Sequence, residues 1–356
     1  MVEFKRESEE LERILLNESK LAFGYREPLM DVKNEIFFGS GNGITGIEKF
    51  LGYNDAKQNV ANFPSISLTH DFVTVEAAVR ISEKDRIFVD GREDQNHARR
   101  AIKALDIFRE MFGLKEHFAF YLRRHKKYEK AKGMGESAAF ASATSYALCS
   151  LAFKNPNPDI VSAVARLVSG SGSRAAVYGV GLWLSYEGID SHRNHAVRVK
   201  EDLGQYKIAA FPRESAIKTE NMHGLATDSL FYNSWAKNKF NEITNLIRNN
   251  FKPELLAERS MKDMLLMHSV LMSQGIRILD RKMFDLIDLS KGSNGSLYVT
   301  ADTGPTPVLL YSDEELLKKA EYVMGSKSVK GNLVNQPIAI TSDFQKEAEN
   351  GLLKNP

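Results

Sequence analysis

Apolar positions repeat at helical spacing at the start of the chain and at strand spacing soon after. Leu11, Ile14, Leu15 and Leu21 recur among Glu and Lys over residues 5–23, which predicts an amphipathic helix, either appended to the fold or serving a dimer contact. From Glu35 to Glu76 the period shortens: Ile66-Ser67-Leu68-Thr69 alternates as a strand does, and the glycine-rich run Phe37 to Gly43 predicts a turn. Val73–Val79 and Arg86–Val89 extend the β character up to a turn at Asp90-Gly91. Ala98, Ala101, Ile102, Leu105, Phe108 and Phe112 then line one side of a helix expected over 94–115. An Ala-rich helix is expected after Gly133 and Gly135, ending before the breaker Asn155-Pro156-Asn157-Pro158. Asp159 is expected to cap the next apolar run, Ile160 to Leu167, which Ser169-Gly170-Ser171-Gly172-Ser173 interrupts. Strand patterns return at 181–186 and 206–211. Residues 226–280 read as mainly helical, with Met261, Met264, Met267 and Leu271 on one face, and strand alternates with helix over 297–325. This mixed order implies an α+β protein rather than a repeating βαβ fold.

Composition narrows the class. A chain of 356 residues that is 43% hydrophobic buries a real core, as one large domain or two ordinary ones sharing a cleft. Its 48 Lys+Arg against 46 Asp+Glu leave +2, so charge gives no global reason to expect nucleic acid or a membrane surface as partner. No run approaches the ~20 apolar residues of a membrane span. The opening Met1-Val2-Glu3-Phe4-Lys5-Arg6-Glu7 has no apolar signal segment, so a soluble cytoplasmic protein is expected. Cys149 is the sole cysteine, which excludes a disulfide framework and any multi-cysteine metal site. His192 and His195 form a His-x-x-His without a third ligand nearby, so no metal is expected. The run Arg123-Arg124-His125-Lys126-Lys127 reads as a solvated face or as steering for an anionic substrate.

Four segments carry candidate chemistry. Gly133-Met134-Gly135-Glu136-Ser137-Ala138-Ala139 opens a helix with glycines and a serine, a place where free N–H groups favour a phosphate. It is no Walker loop, and Glu136 puts a carboxylate where a phosphate would be welcomed. Ser169 to Arg174 combines small hydroxyls with a guanidinium fork suited to a carboxylate or phosphate. Asp302, at the end of a β-like run and braced by Gly304-Pro305, is placed for a rigid catalytic carboxylate. Lys49 precedes Phe50-Leu51-Gly52-Tyr53 and is suited to neutralise an Asp or a leaving phosphate.

In their order along residues 40–325 these segments resemble the mevalonate diphosphate decarboxylases of the GHMP kinase superfamily. Lys49 and Gly52 match the family's Lys-Tyr-Trp-Gly-Lys segment, and Ser65 to Thr69 its Ser-Ile-Ser-Val-Thr strand. Val89-Asp90-Gly91 looks like its Leu-Asn-Gly turn, and Gly133 to Ala139 resembles its phosphate loop. Ser169 to Arg174 resembles Gly-Ser-Gly-Ser-Ala-x-Arg with one residue of slippage, and Ala301 to Pro305 resembles the Phe-Asp-Ala-Gly-Pro that holds the catalytic Asp. The resemblance implies a two-lobed α+β fold, GHMP kinase-like, with the active-site cleft between lobes. Residues 1–34 would be a helical extension, 35–190 the N-terminal lobe with a degenerate phosphate loop and 191–356 the C-terminal lobe.

Departures from the family refine this expectation. Glu136 replaces the first Ser of the phosphate loop, Tyr53 stands for a second Lys, and His97 falls about where an Arg grips the diphosphate. Fewer cations suit a monophosphate, and a carboxylate in the nucleotide loop suits a reaction without ATP. Both point to the archaeal branch similar to mevalonate 3,5-bisphosphate decarboxylases. The resemblance then assigns catalysis to Asp302, Lys49 and Arg174, and contacts with a small phosphorylated anion to Tyr53, Ser65, His97, Ser137, Ser171 and Ser173. It implies no cofactor, no metal and a homodimer. The alternatives are an ATP-dependent decarboxylase of mevalonate phosphate or diphosphate, a mevalonate 3-kinase-like enzyme, and a non-catalytic regulator that kept the fold.

Overall fold

The computed structural model describes residues 4–130, 133–214 and 219–354, the side chains of 95–100, 219–221 and 354 excepted. After helix α1 (Lys5–Ile14), the first half runs β1 (Phe37–Glu48), β2 (Tyr53–Asp55), β3 (Val60–Ala61), β4 (Ser65–Ser82), β5 (Arg86–Val89), β6 (Arg92–Glu93), α2 (Gln95–Phe112), β7 (His117–Lys126), α3 (Glu136–Ala152), α4 (Pro158–Val168), α5 (Gly170–Ala175), β8 (Val180–Trp183) and β9 (Ala196–Lys200). The second half is β10 (Lys207–Ala210), α6 (Thr219–Thr227), α7 (Tyr232–Arg248), α8 (Pro253–Ser273), α9 (Arg281–Lys291), β11 (Leu297–Thr300), β12 (Val308–Tyr311), α10 (Glu314–Met324), β13 (Val329–Gly331) and α11 (Ser342–Lys354).

Two sheets organise these elements. The larger runs β6-β5-β7-β4-β8-β9, with β1 paired to β4; the smaller runs β11-β12-β10-β13. Strand β4 is the hinge of the large sheet. Its second part, Val73–Ser82, pairs with β7, and its first part, Ser65–Leu68, pairs with β8. Alternation decides which face each residue joins. Val73, Val75, Phe118 and Phe120 pack under α3 and α4, while Ala78, Ala119 and Tyr121 face α11, which returns to cover the other side. At the β8 end, Ile66, Leu68, Val180 and Leu182 join a core with α1, α7 and α8.

The glycine-rich run expected to turn instead lies inside β1. A Cβ on Gly39 would meet Ala143 O at 2.5 Å, and one on Gly41 would meet Ala143 N at 2.5 Å. These glycines therefore serve the close approach of α3 to the sheet, not a reversal of the chain. Asn157, not Asp159, caps α4: its side chain accepts from Ile160 N at 2.9 Å, with Pro158 at the first helical position. The N-terminal helix is shorter than its apolar pattern. It ends at Ile14 in a π-turn, Leu15–Ser19, closed by Lys20 at φ 57°. Leu11 and Leu15 are buried against Phe240, Ile243 and Leu246 of α7, so the apolar face is covered by its own chain. Among the described residues no helix is long and apolar enough to cross a membrane.

Candidate active site

Lys49 leaves the end of β1 in the large sheet, and Asp302 follows β11 in the small one; α8 lies against both strands. The Lys49 ammonium is buried and donates to Gly46 O at 2.8 Å, Thr300 Oγ1 at 2.8 Å and Ser260 O at 3.1 Å. Its three protons are thereby committed. Burial lowers its pKa, opposed by the charges of Asp263 and Asp302. The Asp302 carboxylate accepts from Gly46 N at 3.1 Å. Enclosure pushes its pKa above the ordinary carboxyl range, opposed chiefly by Lys49. Gly46 is required here, since a Cβ would meet Lys49 Cγ at 2.6 Å and Asp302 Oδ1 at 2.8 Å.

A fully buried ion network underlies Lys49. Glu48 and Asp263 share the Lys239 ammonium, Glu48 also takes Arg259 Nε at 2.7 Å, and Asp263 accepts from Lys49 N at 2.7 Å and Trp235 Nε1 at 2.8 Å. Against its burial, Lys239 and Lys49 hold Asp263 below its ordinary pKa. Five residues along α8, His268 is buried and its Nε2 meets Asp302 O at 3.2 Å. Sequence reasoning missed this layer. The available signal was a charge inside an apolar stripe: Lys239 among Trp235, Ala236, Phe240 and Ile243, and Asp263 among Ser260, Met264 and Met267.

Arg174, in the last turn of α5, is buried against the edge-to-face pair Phe50 and Trp183, its guanidinium 5.1 Å from the Phe50 centroid and 5.8 Å from that of Trp183. Its Nε finds no hydrogen-bond partner. Burial pushes its pKa down to about 10, against the pull of Asp302 and Tyr53, so it stays charged at neutral pH. A buried guanidinium with an unmatched Nε near a single carboxylate, Asp302, can accept an anionic ligand. Tyr53 stacks on His223, 4.4 Å between centroids. His223, also missed, accepts from Gly52 N at 3.1 Å, and burial takes its pKa to about 4.

The hydroxyls divide. Ser137 donates to Ser169, which lies 2.9 Å from Ser171, so these form a chain across the start of α3 and α5. Ser173 turns the other way, onto Ser162 Oγ at 2.9 Å. The Ser65 hydroxyl is buried without a partner. His97 lies on α2, its side chain outside the described residues. His195 is buried and committed to Gly24 N and Ala196 O, while His192 meets Glu27. Among the described residues no group of three His, Cys, Asp or Glu converges to hold a metal.

At the phosphate loop, Glu136 takes the first position of α3 and is clamped by Lys126 Nζ at 2.7 Å and Arg124 Nη1 at 3.0 Å. Against its burial, these two cations hold its pKa below the ordinary value, so it is ionised at neutral pH. The two strand cations that a phosphate at the start of α3 would draw on are thus paired with the chain's own carboxylate. The rest of the basic run is similarly matched, Arg123 by Glu76 and Glu347 and Lys127 by Asp71.

Comparison with known proteins identifies the fold and the family. Residues 43–193 match the model of the diphosphomevalonate decarboxylase-like N-terminal domain. Among solved structures, mevalonate diphosphate decarboxylase from Staphylococcus aureus superposes with a TM-score of 0.69 at 18% identity, covering 86% of this chain and 99% of that one. Mevalonate-3-kinase from Thermoplasma acidophilum gives 0.70 at 18%, covering 86% and 98%. Both share the two-lobed GHMP fold. The mevalonate 3,5-bisphosphate decarboxylase of Thermoplasma volcanium is 38% identical over 323 residues, 88% of this chain and 86% of its own length. That of Thermoplasma acidophilum is 37% identical over 347 residues, 93% and 84%. With this similarity along nearly its whole length, the chain belongs to the mevalonate 3,5-bisphosphate decarboxylase family.

Proposed function

We propose that this protein converts mevalonate 3,5-bisphosphate to isopentenyl phosphate, CO2 and phosphate without a nucleotide. The observation that carries the reading is Glu136, ionised between Arg124 and Lys126 at the start of α3. A triphosphate arriving there would have to displace a covalently tethered anion, so the 3-phosphate must already be on the substrate.

In this reading the C3–O bond breaks with its electron pair leaving on phosphate, C3 acquires cationic character, and the C1–C2 pair moves to form the C2=C3 double bond as CO2 departs. No redox partner is needed. Arg174 holds the C1 carboxylate from its place against Phe50 and Trp183, apolar surroundings that help exclude water. The Ser137–Ser169–Ser171 hydroxyls face the departing phosphate, and Lys49 contributes its charge from a position fixed by Gly46, Ser260 and Thr300. Because those three groups already orient Lys49, Asp302 is better read as the carboxylate that destabilises the substrate's own. Tyr53, with His97, belongs to the 5-phosphate end. Ser65 remains with the substrate pocket, whereas Ser173 serves the α4–α5 packing through Ser162.

The reading brings with it a cytoplasmic homodimer of archaeal type. The test is incubation of purified protein with mevalonate 3,5-bisphosphate and no nucleotide. Release of CO2 and phosphate in equal amounts is expected; turnover that requires ATP would overturn the reading in favour of an ATP-dependent decarboxylase.

A further inference from the structure

Strand β4 presents Ser67 at a point where neither neighbouring strand has a side chain. Its cross-strand partner is Gly46 on β1 and Gly181 on β8. Residues directly opposite one another share a face of the sheet. On that face a Cβ at Gly46 would meet Asp302 Oδ1 at 2.8 Å, and a Cβ at Gly181 would meet Arg174 O at 3.0 Å. The row Gly46–Ser67–Gly181 therefore runs from beneath Asp302 to beneath Arg174, and the Ser67 hydroxyl is the one side-chain polar group it contributes. Ser65, two residues along and on the same face, lies opposite Trp183, whose ring underlies the Arg174 guanidinium. The intervening Ile66 and Leu68 turn into the apolar core, so the alternation that buries them aims both hydroxyls at the cleft.

Both serines are buried, and among the described residues neither hydroxyl has a hydrogen-bond partner; the same holds for Arg174 Nε. Leaving such groups unpaired costs roughly 1–3 kcal/mol each, and these two hydroxyls differ from the other unmatched ones, such as Ser8 and Ser145, in standing on the face of β4 that carries Gly46 and Gly181 opposite. Three unmatched donors, set along the row from Asp302 to the Arg174 segment, have the composition of an oxyanion receptor. The Arg174 guanidinium, held against the Phe50–Trp183 pair, supplies the fork that a carboxylate can meet with two oxygens. We infer that Ser67, assisted by Ser65, donates a hydrogen bond to the substrate carboxylate that Arg174 holds. The inference rests on the decarboxylase reading and adds a substrate-contacting residue to it.

The experiment uses full-length Ser67→Ala and Ser65→Ala proteins. Steady-state kinetics with mevalonate 3,5-bisphosphate, thermal unfolding, and calorimetric binding of mevalonate 5-phosphate, which lacks the 3-phosphate, are measured for each. For Ser67→Ala, kcat/KM is expected to fall about tenfold to a hundredfold, the ordinary loss for a hydrogen bond to a charged group. Tm should hold or rise, because an unpaired hydroxyl is removed. Affinity for mevalonate 5-phosphate should fall in parallel. Unchanged kinetics, with or without a fall in Tm, would overturn the assignment and make the hydroxyl structural. Weakened handling of the bisphosphate with normal binding of mevalonate 5-phosphate would also overturn it, assigning the hydroxyl to the 3-phosphate. If the wild-type protein fails to turn over the bisphosphate, the decarboxylase reading falls, and the calorimetric arm still decides whether Ser67 reads a carboxylate.

Discussion

Replacing Lys239 by Met tests whether the buried ion network is what fixes Lys49. The methionine fills similar space and removes one charge from among Glu48, Asp263 and Arg259. Glu48 keeps Arg259 at 2.7 Å, but Asp263 loses its charged hydrogen-bond partner, keeping the neutral donors Trp235 Nε1 and Lys49 N and the through-space charge of the Lys49 ammonium. At 3.0 Å and an effective dielectric of about 20, the gross attraction between unit charges is about 5 kcal/mol. Breaking one partner of a buried pair costs about 3–5 kcal/mol net, because the remaining charge stays buried. With an unfolding entropy of about 2.1 cal/mol/K per residue, that is a fall in Tm of about 4–7 °C for a chain of 356 residues. The pH dependence carries the sharper signature. Without Lys239 the folded-state pKa of Asp263 rises above its unfolded value, so the cost is full at neutral pH and is relieved as falling pH protonates the carboxyl. Thermal unfolding of both proteins at pH 7.5 and pH 5.5 reads this directly. A Tm deficit below about 1 °C, or one that is as large at the lower pH, would refute the account.

Two further outcomes are expected. In Glu136→Ser, Arg124 and Lys126 lose their shared anion; calorimetry should detect ATP binding that the wild-type protein lacks, and equal binding by both proteins would remove the argument for a filled phosphate site. His70, His223 and His268 are each driven by burial to a pKa of about 4, below the unfolded value near 6.5. They stay neutral in the folded state, so their contribution is complete above the unfolded value and is lost as pH falls from there toward 4. Urea titrations across that window should show stability dropping by up to about 1.4 kcal/mol per pH unit for each histidine, and a flat profile would contradict the burial of these rings.

Much of this protein is legible in its sequence because local chemistry dictates it. Alternation along Ile66 to Val79, helical spacing in 94–115 and the Pro-Asn break after residue 154 each act within a few residues, and α2, α3 and β4 follow from them. The same holds for Glu136, whose charge at the start of a helix is wrong for a phosphate loop whatever surrounds it. Tertiary structure decided the rest, since it depends on what arrives from elsewhere. Gly39 and Gly41 read as a turn, yet α3 packs so close to β1 that only glycine fits there. The apolar face of α1 packs on α7, and Ser173 meets Ser162, partners that only the fold supplies. Lys239, Asp263 and His268 look like ordinary helix residues until two sheets and α8 enclose them behind Lys49 and Asp302. Burial then makes each charge require a partner, and a partner more than twenty residues distant along the chain is set by the fold alone.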